Sequence, residues 1–197
     1  MLPMLPMPQT LPIRVRRLAG NTAATATALA LALTALSGIA APTAEAAARC
    51  GENDLTVRAE PSDDSADILK LSVRNDSSKA CVVDRVPTVT YGDLDGAALP
   101  LPTVPHAGRT LAAHDTAYAA VLSVSDPEDA EDEAPAVMYV TVSALPDQEG
   151  RSFQALTLGS PTGVRVWEPV TTLWQSSPAK AQKVLEEQTT GRDSMVV

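Results

Sequence analysis

Two segments in the first half of the chain alternate apolar and polar residues with a period of two. Residues 55–60 and 69–74 each place Leu, Val or Ala at every second position. This alternation is typical of a strand that buries one face and exposes the other. Because residues 61–65 between them are Pro, Ser and Asp, which favour turns, the two segments predict a β-hairpin.

Short runs of strand-forming residues recur along the chain as far as residue 174, with turn residues between them. The proline-rich segment 97–109 is predicted as an edge segment or a loop, because proline cannot donate a hydrogen bond within a central strand. Seven or eight short strands at this spacing predict an all-β fold, a sandwich of two antiparallel sheets. The runs that follow the hairpin are residues 81–83, 88–91, 118–124, 137–145, 152–158, 164–167 and 170–174.

The C-terminal residues have a different pattern. Ser177 is suited to cap a helix, Pro178 to occupy its first position, and residues 179–188 are good helix formers. We therefore predict a short C-terminal helix and disorder from Thr189 onward. The predicted division of the chain is a β-sandwich domain over residues 47–175 and a helical or disordered tail over residues 176–197.

Residues 1–46 have the features of a secretory signal peptide. Three arginines precede an uncharged stretch over residues 18–42, and small residues stand at the minus-three and minus-one positions for cleavage after Ala46. Cleavage after Ala48 is the second choice. The alternative is a retained transmembrane anchor, since the uncharged stretch exceeds the roughly 20 residues that span a bilayer. Its richness in Ala and Thr favours cleavage, and the predicted location is extracellular or cell-wall associated.

The charge of the mature chain restricts its partners. Without residues 1–46, twelve basic and twenty-three acidic residues remain, a formal charge of about −11. An acidic protein is repelled by phosphate backbones and anionic lipids, so we expect no nucleic acid partner and no membrane association after cleavage. The remaining length of about 150 residues predicts one domain, and we expect a monomer.

Cys50 and Cys81 are the two cysteines of the chain. In an exported protein an even number of separated cysteines predicts a disulfide, which here would stabilise the fold by roughly 3–4 kcal/mol. The alternatives are two free thiols or half of a metal site. No CxxC spacing exists, however, and the histidines are His106 and His114 alone.

The run over residues 75–87, N-D-S-S-K-A-C-V-V-D-R-V-P, resembles a signature of exported actinobacterial proteins, the family named domain of unknown function 4232. The position of Cys50 before an alternating strand fits the family, and residues 111–117 occupy the place of its Leu-Ala-Pro-Gly turn. His114 stands where the family has the turn glycine, and a second cysteine pair common in the family is absent. The resemblance covers residues 50–174. It implies an immunoglobulin-like β-sandwich outside the cytoplasm with a Cys50–Cys81 bridge and no assigned activity.

Three groups of polar residues are candidates for chemical sites. Residues 126–133 are a run of carboxylates of the kind that calcium prefers, but they lack the glycine turn of a defined calcium loop, so a solvated loop is the preferred interpretation. Asp93 and Asp95 before Gly96 suggest calcium on a smaller scale, and a turn again explains them. The pair His114-Asp115 with Ser123 could be imagined as a catalytic group, yet no nucleophile-elbow motif is present. We expect no catalytic residue, metal or cofactor.

Trp167 and Trp174 stand out because aromatic residues make up only 3% of the chain. Exposed tryptophan is common at the centre of protein interfaces, so both are candidates for contact with a partner. The alternative is that at least one of them fills the core under the last strands.

These features predict an exported, non-enzymatic binding or structural module. The expected partner is an unidentified protein or glycan of the cell envelope or the extracellular space. Alternatives are an accessory factor or enzyme of the cell envelope and a calcium-dependent adhesion domain.

Overall fold

The computed structural model describes residues 47–103, 108–126 and 134–190, and all of them belong to one compact unit. The predicted signal peptide, His106 and the acidic run beyond Asp126 lie outside the described residues. Export and cleavage after Ala46 therefore stay predictions.

The described part of the chain is mostly β-structure, with one α-helix at its C-terminal end. Short 3-10 helices occupy Glu52–Asp54 and Ala155–Leu158, and the α-helix, α1, spans Pro178–Thr190. The strands in chain order are β1 Leu55–Pro61, β2 Ile68–Asn75, β3 Cys81–Val83, β4 Thr88–Tyr91, β5 Leu99–Leu101, β6 Arg109–Leu111, β7 Thr116–Leu122, β8 Ala136–Val137, β9 Tyr139–Ser143, β10 Arg151–Gln154, β11 Val164–Arg165 and β12 Val170–Thr172.

The expected number of seven or eight strands is wrong, because the described residues form twelve. Six of the twelve are only two or three residues long, too short to show an alternating pattern. In addition, the predicted strand over residues 137–145 is divided at Met138 into β8 and β9, which belong to different sheets. The predicted strand over residues 152–158 ends at Gln154, where a 3-10 helix begins.

The largest sheet has five strands in the order β1-β2-β7-β12-β5. Its β1–β2 hairpin confirms the one predicted from the alternating segments. The proline-rich β5 lies at the edge, as predicted, but it pairs with β12 in parallel rather than antiparallel. A three-stranded sheet has the order β10-β9-β4, and two ladders of two strands, β3–β6 and β8–β11, complete the β-structure described here.

The main hydrophobic core joins the five-stranded and three-stranded sheets. One face of β2 points into this core through Leu69, Leu71 and Val73, which are at most 2% exposed. Val140 and Val142 of β9 do the same from the other sheet and are fully buried. Each such side chain contributes on the order of 1.5–3 kcal/mol relative to an exposed position. The apolar residues that alternate in the sequence are thus the residues that pack in the core.

Asn75 at the end of β2 is fully buried and joins the turn that follows it to the end of β6. Its Nδ2 donates to the carbonyl oxygens of Lys79, Leu111 and Ala112 at 2.8, 3.2 and 3.0 Å. Its Oδ1 accepts from the backbone N–H and the hydroxyl of Ser77. The asparagine that begins the 75–87 signature therefore has a structural role.

The disulfide predicted between Cys50 and Cys81 is present, with 4.9 Å between the two Cα atoms. It ties the segment before β1 to β3. The same segment is also held by backbone hydrogen bonds, from Cys50 N–H to the Val82 carbonyl and from Val82 N–H to the Ala48 carbonyl. The folded unit therefore begins within a few residues of the predicted cleavage site.

The C-terminal helix predicted from residue 178 is confirmed, and the Ser177 hydroxyl accepts a hydrogen bond from the Lys180 N–H at its start. It extends through Thr190, so the prediction of disorder is wrong for Thr189 and Thr190, whose hydroxyls bond back to helix carbonyls. Ala181 and Leu185 of α1 pack on Ala120 and Val170 in a second apolar cluster.

The helix α1 therefore covers the face of the five-stranded sheet that lies away from the main core. None of the helices in the described ranges combines the length and the apolarity that a membrane span needs.

Candidate functional site

The imagined catalytic group of His114, Asp115 and Ser123 is not assembled. His114 and Ser123 lie beyond opposite ends of β7, which spans seven residues, a length of roughly 23 Å. Ser123 is 1% exposed, and its hydroxyl donates to the carbonyl oxygen of Asp67. The histidine therefore cannot act on this hydroxyl.

His114 instead has an unusual backbone conformation. Its φ of 63° lies in the left-handed region, which glycine adopts without strain. This is the position where the resemblance predicts a turn glycine. In this chain a histidine, which carries a Cβ atom, adopts the left-handed conformation at that position.

Within the described residues, no group of three His, Cys, Asp or Glu side chains is arranged to hold a metal ion. Asp93 and Asp95 lie in the turn that follows β4, where the Leu94 N–H donates to the Tyr91 carbonyl and Gly96 has a φ of 95°. The predicted turn is confirmed at this position.

Trp174 lies in the main core and is 2% exposed. It is therefore a tryptophan that fills the core, which was the alternative expected for at least one of the two. Its backbone N–H donates to the Arg85 carbonyl, and its carbonyl accepts from Arg109 Nη1. A side chain with this burial has no surface to offer to a partner. The partner-contact hypothesis therefore applies to Trp167 alone.

Trp167 is half-buried at the end of the molecule where β7 and β11 meet a turn. The backbone N–H of Trp167 donates to the Ser123 carbonyl, and the Trp167 carbonyl accepts from the Ser125 N–H. The next residue, Glu168, has a φ of 44°, and its carbonyl accepts from the Ser125 hydroxyl. These bonds fix the backbone of Trp167, while its role in partner contact stays a prediction.

The most distinctive surface feature is a group of exposed apolar residues at one end of the three-stranded sheet. In the described part of the chain, the exposed large hydrophobic side chains are Leu94, Leu99, Met138 and Leu156, with exposures of 38, 58, 56 and 70%. Leu94, Met138 and Leu156 lie at this end, together with the half-buried Tyr139. We call these four residues the apical patch.

Backbone pairing brings the apical patch together from three separate segments. On one side, the Gly92 N–H donates to the Tyr139 carbonyl and places the turn that carries Leu94 beside β9. On the other side, the Ala155 N–H donates to the Met138 carbonyl and places Leu156 next to the start of β9. Because neighbouring strands are about 4.8 Å apart, the patch crosses the width of a three-stranded sheet.

Two carboxylates accompany the apical patch. The Tyr139 hydroxyl donates to Asp93 Oδ1 at 3.0 Å, and this hydrogen bond, together with the negative charge of Asp93, raises the pKa of Tyr139. Asp95 is exposed two residues further along the same turn. Neither carboxylate has a basic partner among the described residues. The surface thus combines exposed apolar groups with unneutralised negative charge.

A cavity of about 180 Å³ lies where the start of α1 meets β2 and β7, beside Tyr118 and Gln182. It is smaller than the roughly 300–1,000 Å³ of most small-molecule sites. Glu60, Lys70 and Ser72 are in its lining, and the Nζ of Lys70 forms an ion pair with Asp63 at 3.0 Å. Its small size makes the cavity a weaker candidate than the apical patch.

The apical patch is not evident from the sequence. Met138 and Leu156 lie in segments that are predicted as continuous strands, where the alternation gives no sign that either is exposed. One signal was available: Leu94 lies between two aspartates in the turn Gly-Asp-Leu-Asp-Gly. An apolar residue at the tip of a turn is exposed wherever the turn itself is on the surface.

Comparison with known proteins finds one family model that matches the chain. The family model described as "Domain of unknown function (DUF4232)" matches residues 50–175, from the first cysteine to the residue after Trp174. No curated protein and no solved structure matches the chain. The matched range contains all twelve described strands and both cysteines, and it ends just before α1. The chain belongs to the family of domain of unknown function 4232.

Proposed function

We propose that this protein is an exported, non-enzymatic module that binds a partner outside the cytoplasm. The observation that carries the proposal is the apical patch, because exposed apolar residues gathered on one part of a domain surface are typical of an interaction surface. The β-sheets beneath the patch give it a rigid support, as binding surfaces require.

The location outside the cytoplasm is supported by two features. The buried disulfide is typical of proteins that fold in an oxidising compartment. The N-terminal residues have the charge and apolar pattern of a secretory signal.

An immunoglobulin-like sandwich is the proposed arrangement of the two larger sheets. Its support is the common core that they share and the family pattern in the sequence. Domains of this type bind through the loops at one end of the sheets, and the apical patch is built from such connecting segments.

The test uses the full chain, exported by a bacterial host and collected from outside the cytoplasm. The product is incubated with cell-envelope material from the source organism, and a heat-denatured sample serves as the control. We expect retention of the native protein above the denatured control, and a melting temperature that calcium leaves unchanged. Equal retention of the two samples, or hydrolase activity that His114→Ala abolishes, would contradict the proposal.

A further inference from the structure

We infer that the apical patch binds a cationic segment of a partner protein, one that presents apolar side chains flanked by Lys or Arg. This inference rests on the proposed binding function and adds the site and the chemical class of the partner.

Apolar side chains are expected in the partner because exposed apolar residues gather at the apical patch. Met138 and Leu156 are more than half exposed, and hydrogen bonding between Ala155 N–H and the Met138 carbonyl holds their backbones side by side. Leu94 approaches from the other side of β9. Three of the four exposed large hydrophobic residues of the described chain are thus collected on one end.

Positive charge is expected in the partner because of the carboxylates around these residues. Asp93 is held in place by the Tyr139 hydroxyl, and Asp95 follows on the same exposed turn. Both lack a basic partner within the described ranges, so their charge is available to a ligand. The formal charge of the chain is −9 in full and about −11 without residues 1–46, which adds long-range attraction for a cation.

The same charges argue against other occupants. A second copy of this chain would bring its own Asp93 and Asp95 towards these two carboxylates, and both copies carry a strong negative charge. Anionic glycans and acidic lipid surfaces are repelled for the same reason. A basic protein segment is the ligand that satisfies both the apolar and the charged groups.

The experiment measures Kd by fluorescence anisotropy for two synthetic peptides of 12 residues. One contains only Leu and Lys, and the other has the same Leu positions with Glu in place of Lys. The exported full chain is compared with two patch variants, Met138→Ser/Leu156→Ser and Asp93→Asn/Asp95→Asn. The controls are Leu99→Ser, which removes the exposed leucine on β5, and Glu186→Gln/Glu187→Gln, which removes two charges from α1.

We expect the Leu/Lys peptide to bind the wild type, both controls to keep its Kd within twofold, and both patch variants to weaken it at least tenfold. The Leu/Glu peptide should not bind. The inference is overturned if the controls weaken binding as much as the patch variants, if the Leu/Glu peptide binds equally well, or if neither peptide binds. It is also overturned if the wild type is a dimer that Met138→Ser/Leu156→Ser dissociates.

Retention on cell-envelope material separates this inference from the proposed function. If the patch variants are retained as well as the wild type, the protein is a binding module with its site elsewhere. If the wild type itself is not retained, the proposed function fails. Because every substituted residue is exposed, the melting temperatures of the variants should agree with that of the wild type and so exclude misfolding.

Discussion

Asn75 shows how a single residue can account for a sequence signature. Its Nδ2 donates to three backbone carbonyls, the most buried of which is that of Leu111, while its Oδ1 accepts from the Ser77 N–H. Aspartate has the same shape but offers no donor, and alanine offers neither donor nor acceptor. The chemistry of asparagine, and not its size alone, is required at the end of β2.

Replacing Asn75 with alanine should therefore lower the free energy of unfolding by about 3 kcal/mol or more, because several buried polar groups lose their partner. The measurement is urea unfolding of the exported protein. Asn53→Ala, at an exposed position in the first 3-10 helix, is the matched control and should change stability by less than about 0.5 kcal/mol. Equal effects of the two substitutions would show that the network around Asn75 does not stabilise the fold.

The left-handed backbone of His114 leads to a second prediction. His114→Gly should stabilise the protein by about 0.5–1 kcal/mol, since glycine adopts a φ of 63° without the steric cost of a Cβ atom. His114→Ala keeps the Cβ and serves as the control, for which we expect no gain. Thermal unfolding of the three proteins measures the difference, and a glycine variant less stable than the alanine variant would contradict it.

The buried Tyr91 leads to a prediction of pH dependence. Its hydroxyl has no hydrogen-bond partner among the described residues, and burial raises the pKa of Tyr91 well above its ordinary value of 10. In the unfolded chain this tyrosine loses its proton near pH 10, while in the folded protein it stays neutral. Its contribution to stability is therefore complete below pH 10 and is lost as the pH rises above 10.

Tyr91→Phe should remove this alkaline loss and should be at least as stable as the wild type at pH 7, because no hydrogen bond is broken. Urea unfolding at pH 7, 9 and 10.5 measures both effects. Tyr118→Phe, at a half-buried position, is the comparison variant. If the wild type and Tyr91→Phe lose the same free energy of unfolding between pH 9 and 10.5, this explanation is contradicted.

At the scale of elements, the alternating segments became the strands that the sequence predicts, whereas the predicted strands over residues 137–145 and 152–158 are divided or shortened. β1, β2, β4 and β7 have one apolar face over four to eight residues, which is enough to reveal a buried side. β8 and β11 have two residues each and depend on pairing between distant segments, which no local pattern contains.

The position of Met138 illustrates the same limit. In an unbroken strand it would share the buried face of Val140 and Val142, since side chains of a strand alternate. The break between β8 and β9 turns it outward instead. Leu156 is exposed for a related reason, because the 3-10 helix replaces the strand that was expected there. The candidate site thus arises where regular structure ends.

The disulfide acts on elements, because it joins the segment before β1 to β3 across a sequence separation of 31. The double variant Cys50→Ala/Cys81→Ala should lose about 3–4 kcal/mol of unfolding free energy, as expected for opening a loop of this length. Urea unfolding of the oxidised protein and of the variant tests this prediction. A loss below about 1 kcal/mol would show that the backbone bonds of Cys50 and Val82 hold the segment without the bridge.

At the scale of the whole molecule, an acidic chain presents an apolar surface at one end of a disulfide-bridged β-framework, with α1 covering another face of the framework. The family match ends at residue 175, and α1 lies beyond the matched range. Sequence reasoning identified the family, the β-rich fold, the disulfide and the helix. It could not identify the apical patch, because the patch depends on which segments the sheet brings side by side.

The most direct test of the central claim is the retention of exported protein on cell-envelope material, compared between the wild type and Met138→Ser/Leu156→Ser, with Leu99→Ser as the control. We predict strong retention of the wild type and of the control, and at least a tenfold loss for the double variant. Equal retention of all three proteins would contradict the claim that the apical patch is the binding surface.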